Sequence, residues 1–166
     1  MKRHAYHRRV VGYDDAKRVA LIFDAGTNGK PNFINKIIGN LEHDGKHVTT
    51  LGFFNQKRIP EGIKIGEKVG FVARKSFSVW MRPKSDVVRN FIEQRYDLLI
   101  DLTVQGPFMV KYVAGITKAS YKAGVHHPDY LGVYDLLLQV NEQATDEELA
   151  VHAIHYLKII KTPEEK

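Results

Sequence analysis

The sequence contains no cysteine among its 166 residues. That excludes a disulfide framework, a thiolate zinc site, an iron–sulfur cluster and a thiol nucleophile. No run of about 18 apolar residues occurs, so no helix of membrane-spanning length is expected. Serine is limited to Ser76, Ser78, Ser85 and Ser120, and no GxSxG elbow is present, which disfavours a serine hydrolase. Histidine is plentiful, with 8 copies, but no HExxH occurs. His4 with His7, and His152 with His155, are each three apart, and His126 and His127 adjoin Asp129. Three or four converging ligands are needed to hold a metal, so neither a metal nor a cofactor is expected. The opening MKRHAYHRRVVGYDD lacks the apolar core of a signal peptide, which leads to the expectation of a cytoplasmic protein.

The net charge is +6 and the pI about 9.4. The excess is uneven. Residues 1–18 hold six basic and two acidic side chains, and residues 57–90 hold nine and three. Residues 91–166 hold seven basic and eleven acidic ones. Such asymmetry bears on partners, not on fold. The length suits one domain, and 43% hydrophobic residues suffice for a packed core. The expected organisation is a basic arm over residues 1–18, a single domain over 19–161 and a short tail over 162–166.

Within that domain, apolar runs alternate with helical patterns. Val19–Asp24 and Tyr96–Thr103 read as buried strands, and 47–54, 69–73, 121–125 and 134–140 as further strands. Helices are expected after Pro31, after Ser85, after Pro107 and from Thr145, where Thr145 and Glu148 form a capping box. The helix after Pro107 presents Met109, Tyr112, Val113 and Ile116 as its apolar stripe. Alternation of this kind predicts right-handed crossovers and a three-layer α/β/α sandwich, built on a mostly parallel Rossmann-like sheet of five to six strands.

Open parallel sheets bind ligands beyond the carboxyl ends of their strands. Asp24 and Asp101 fall at two such ends, with Thr103 and Lys111 nearby. If their strands are neighbours, the pair can hold a divalent cation, share a proton or contact a ligand hydroxyl. The competing explanation is that each bonds loop amides. The loop Gly26-Thr27-Asn28-Gly29-Lys30 is not a phosphate loop, because Asp24 stands where the first glycine belongs and Pro31 where Ser or Thr should follow the lysine. An aspartyl-phosphate mechanism is also disfavoured, since Gly26 replaces the second acid.

The segment from Phe71 to Lys84 is the strongest binding candidate. It interleaves Phe71, Phe77 and Trp80 with Arg74, Lys75, Arg82 and Lys84. Aromatic planes stack on bases while cations meet phosphates. Lys2, Arg3, Arg8 and Arg9 of the arm are positioned to add sequence-independent phosphate contacts. Packing of Phe77 and Trp80 beneath a loop explains the same letters.

The runs LIFDA, VTTLGFFN, Phe71 to Pro83, YDLLIDLT, KYVAGITKASYKAGV and AIHYL together resemble an uncharacterised α/β family of Bacteroidota, of unknown function. That resemblance implies the fold and no activity. YDLLIDLTVQGPFMVKYVAGITKASYKAGV is also similar to a stretch in the N-terminal domain of lipopolysaccharide heptosyltransferases, with Asp101 and Gly124 at the two strand ends. Those enzymes use a second domain for the nucleotide-sugar donor, so the likeness implies topology and not sugar transfer by this chain.

Two functions are therefore expected to compete. One is a non-catalytic RNA- or ribosome-associated protein, or one docking another protein, using the arm and the Trp80 segment. The other is a small-molecule or nucleotide-sugar binding protein, or enzyme, using the crevice at Asp24, Asp101, Thr103 and Lys111.

Overall fold

A computed structural model describes residues 7–26, 29–63 and 69–164. Six strands, β1 (Arg18–Asp24), β2 (His47–Phe54), β3 (Val69–Ala73), β4 (Arg95–Asp101), β5 (Lys118–Val125) and β6 (Leu136–Leu138), form one sheet in the order β3-β2-β1-β4-β5-β6. Every pairing is parallel. Parallel neighbours require crossovers, and helices α1 (Asn32–His43), α2 (Asp86–Glu93) and α3 (Phe108–Ile116) lie in the β1–β2, β3–β4 and β4–β5 connections, while α4 (Asp146–Ile159) follows β6. Central β1 is buried from Val19 to Phe23, which is why it reads as an unbroken apolar run.

The helices divide between the faces. Ile34, Ile38 and Leu41 of α1 and Leu149, Ala153 and Leu157 of α4 share one apolar cluster with Val19, Leu21 and Phe23. Val88 and Phe91 of α2 and Val110, Val113 and Ala114 of α3 share the other with Ala20, Ile22 and Leu99. The result is the expected three-layer arrangement. The α4 capping box also forms, with the Glu148 N–H donating to Thr145 Oγ1 at 3.2 Å and the Thr145 N–H to Glu148 Oε2 at 2.7 Å. Ser85 precedes α2, but its side chain caps nothing.

Two expectations need revising. The second half of the basic arm belongs to the domain, because Val11, Tyr13 and Ala16 are buried in the α1/α4 core. Gly12 lies against the chain's other end. A Cβ there would stand 2.7 Å from the Ile160 carbonyl. The Gly12 N–H donates to Thr162 Oγ1 at 2.9 Å, and that hydroxyl donates to Asp15 at 2.5 Å. Counting charge hid the apolar residues spaced between the charged ones. The α3 stripe also differs: Val110, Lys111, Val113 and Ala114 face inward, while Ile116 is exposed. The helix is rotated toward a polar partner, Asp101, that a purely apolar pattern cannot represent.

Candidate nucleic-acid interface and the strand-end crevice

β1 and β4 are neighbours, as the crevice requires. Their register aligns Asp101 with Ile22, so Asp24 stands two residues further out. That stagger is about 7 Å along the strand. Asp24 is half-buried and accepts the Gly26 N–H at 2.7 Å, a local turn that closes the β1 end.

Asp101 is fully buried and surrounded by donors. Its Oδ1 accepts the Thr103 N–H at 3.0 Å and the Thr103 hydroxyl at 2.6 Å. Its Oδ2 accepts Lys111 Nζ at 2.8 Å and the Tyr134 hydroxyl. The Tyr134 ring reaches this point because residue 124 is glycine. A Cβ at Gly124 would lie 2.6 Å from ring atoms of Tyr134. Burial, and then the Asp101 charge, push the Tyr134 phenol upward, so it stays a donor. Asp101, Thr103 and Lys111 thus form one closed network, and Asp24 is not a hydrogen-bonding member of it. Tyr134 is the member that sequence reasoning missed. Its one sequence signal is Gly124, the β5 residue over which its ring lies.

Asp146, the first residue of α4, accepts the Val104 N–H at 2.9 Å. Burial raises its carboxyl, and the Asp24 and Asp101 carboxylates raise it further. Among the described residues no group of three or more His, Asp or Glu side chains is arranged to hold a metal ion. A cavity of about 270 Å³ opens beside this edge, lined by residues of the β4–α3 loop, Lys111, Val125, His127 and Tyr130.

The Phe71 to Lys84 segment has a different construction. Phe71 and Phe77 are buried. Phe77 is therefore removed from the expected stacking surface, since its ring fills the α2/α3 core instead. Beyond it the chain makes a narrow hairpin. Phe77 bridges Pro83, the Ser78 N–H donates to the Arg82 carbonyl at 2.8 Å, and the Met81 N–H donates to the Ser78 carbonyl at 3.0 Å. Met81 adopts φ 57°, in the left-handed region. A three-residue loop of this kind closes with a left-handed residue at its last position. Val79 and Trp80 occupy the tip and are 94% and 83% exposed.

The cations flank that tip. Residues 69–84 contain four basic side chains and no acidic one. Arg74 is held by the carbonyl and side chain of Asn55 at 3.1 and 3.3 Å. Lys75, Arg82 and Lys84 are exposed, and among the described residues none has an ion-pair partner. Lys57 and Arg58 join them, because the N–H groups of Arg74 and Lys75 donate to the carbonyls of Gln56 and Lys57.

The arm residues separate. Lys2 and Arg3 lie outside the described residues. Arg8 donates to the carbonyls of Gly132 and Val133 at 2.9 Å each and pairs with Asp135 at 3.0 Å. It fastens the arm to the β5–β6 connection. Arg9 is exposed, and its backbone N–H donates to the Ser120 carbonyl at 2.9 Å.

No helix of the described residues is long and apolar enough to cross a membrane. No curated protein matches the chain. Among solved structures it is similar to the crystal structure of the glycosyl transferase family 9 from Veillonella parvula DSM 2008, with a TM-score of 0.58 and 14% identity. The likeness covers 89% of this chain and 42% of that one, so the chain spans less than half of that protein's length. At that identity the likeness establishes the parallel α/β fold and nothing of its chemistry. The model of the Family of unknown function (DUF6913) matches residues 1–160, and the chain belongs to that family.

Proposed function

We propose that the protein is a non-catalytic RNA-binding protein, of the ribosome-associated kind, that presents the Trp80 hairpin to unpaired nucleotides. The observation that supports this most is the 83% exposure of Trp80 on a hydrogen-bonded hairpin flanked by unpaired cations. Leaving a large aromatic side chain in water forgoes about 1.5–3 kcal/mol of burial. A base stacked on the indole recovers part of it, while Lys75, Arg82 and Lys84 meet phosphates. The test is binding of a fluorescent single-stranded RNA as salt is varied. The expected slope of log affinity against log salt is about −0.7 per phosphate neutralised. Arg82→Glu with Lys75→Glu removes binding. A parent protein that neither binds RNA at physiological salt nor co-sediments with ribosomes overturns the reading.

The crevice supports a small-molecule or nucleotide-sugar reading less well. In its favour are the 270 Å³ cavity at the strand ends and a fold shared with a glycosyl transferase. Against it, both oxygens of Asp101 are already engaged by protein donors.

A further inference from the structure

Helix α4 buries Leu149, Ala150, Ala153 and Leu157 against the sheet. Its opposite face is not the charged surface that an outer helix ordinarily shows. Val151 is 66% exposed, Ile159 61% and Tyr156 49%, with His152 and His155 exposed between them. Val151, His155 and Ile159 follow one another at intervals of four, so they form a single ridge along the helix. His155 sits at the centre of that ridge, with one apolar residue four positions to each side.

The charges on the helix are segregated by end. Glu147 and Glu148 stand in the first turn, Lys158 in the last, and Lys161 just beyond it. Turning a second copy of α4 end for end about His155 brings Val151 against Ile159 twice. It also places Lys161 of each copy opposite position 149 of the other, one residue from Glu148, with Lys158 about one turn further along. The present partners of Lys158 and Lys161 do not prevent this. Lys158 stands 3.9 Å from Asp44, and the Lys161–Asp14 pair is more than 70% exposed on both sides. Pairs of that kind contribute little.

We propose that the outer face of α4 is a homodimer interface, in which two copies of the chain pack this helix antiparallel about a two-fold axis through His155. The occupant is a second copy because the ridge is complementary to itself in apolar spacing and the two ends of the helix are opposite in charge, as a two-fold interface demands. A helix of this length is about 21 Å long, and its face supplies less than the roughly 800 Å² per partner of a standard interface. The dimer is therefore a concentration-dependent one.

Sedimentation of the full chain from low micromolar to several hundred micromolar tests this. The expected result is a reversible shift from 19.0 kDa toward twice that mass. Val151→Glu alone and Ile159→Lys alone are each expected to sediment as monomers with unchanged circular dichroism. Mixing the two variants restores a dimer, because Glu at 151 then faces Lys at 159 on one side while Ile159 still faces Val151 on the other. A parent chain that stays monomeric throughout overturns the proposal. So does a dimer that survives both single variants, or a mixture that fails to associate.

Discussion

The carboxyl end of β4 and the loop beyond β3 are built on opposite principles. At Asp101, four donors converge on one buried carboxylate, and among the described residues no buried side-chain nitrogen or oxygen lacks a hydrogen-bond partner. At the Trp80 hairpin the backbone is tied by hydrogen bonds, while the side chains of Val79, Trp80, Arg82 and Lys84 are left exposed. The first region spends its polar chemistry on the fold. The second region holds a backbone so that side chains remain available. A charged residue at a strand end is therefore no indication of a site until its bonding is known, and an exposed ring on a constrained loop is a better one.

The largest expected effect comes from breaking the closed region. Asp101→Ala leaves the Lys111 ammonium buried with no counter-charge. Removing one partner of a buried ion pair costs about 3–5 kcal/mol. Urea denaturation should register that loss, and RNA affinity per folded molecule should stay the same. An Asp101→Ala protein of parental stability would mean that the network does not hold α3 to β4.

The open region predicts the converse. Trp80→Ala should lower single-stranded RNA affinity by about 1–3 kcal/mol, the range for loss of one stacking platform. Its stability should stay within about 0.5 kcal/mol of the parent, as for exposed positions with no special contacts. A fluorescence titration at fixed salt, beside a urea curve on the same sample, separates the two quantities. Loss of stability without loss of affinity would assign Trp80 to packing.

The two regions were not equally legible. The succession of strands and helices follows from alternating apolar runs, because a buried parallel strand needs apolar residues on both faces and a surface helix on one. All six strands and four helices are therefore read correctly from residue pattern. Side-chain networks lack such a period. Lys111 turns inward to reach Asp101, and Tyr134 arrives from 33 positions away. Pairings at that separation are set by topology and leave no local mark. Phe77 and Trp80, three residues apart in one aromatic segment, have opposite fates for the same reason. Phe77 stands at the base of the hairpin, bridged to Pro83, and enters the core, while Trp80 stands at its tip. Arg8 looked like a phosphate ligand only because Asp135, its partner, is 127 positions distant.

A smaller effect concerns Lys122, which shows how the closed style extends along β5. It is buried and donates to the Ala114 and Gly115 carbonyls at 2.8 Å each, at the end of α3. Burial, and then the charge of Arg8, lower it from 10.5 to about 8. Between these two values the unfolded chain keeps a proton that the native chain has released. Stability should therefore rise with pH from about 8 as Lys122 titrates, and Lys46, which burial also lowers, contributes in the same direction. Above about 10 the trend reverses, since Tyr96 is pushed up to about 12 and unfolded tyrosines ionise first. Thermal unfolding from pH 7.5 to 9.5 checks this. Lys122→Met should flatten the rise, and an equal slope in both proteins would show that the lysine titrates normally.

The smallest expected effect tests how the hairpin is held. Met81 sits at φ 57° without being glycine. A left-handed conformation costs an L-residue with a Cβ about 1–2 kcal/mol. Glycine adopts it freely but loses more backbone entropy on folding, about 0.5–1 kcal/mol relative to alanine. The difference favours Met81→Gly by about 0–1.5 kcal/mol, seen as a slightly higher urea midpoint. RNA affinity should be preserved, because the Ser78–Arg82 and Ser78–Met81 backbone hydrogen bonds that aim the tip do not involve the Met81 side chain. If Met81→Gly lowers the midpoint instead, the half-buried thioether contributes more by packing than the strain costs. If it lowers affinity while raising stability, the tip depends on the stiffness of a non-glycine residue to hold Trp80 outward. In that case the open region would be preorganised by strain, whereas the Asp101 network is preorganised by saturation.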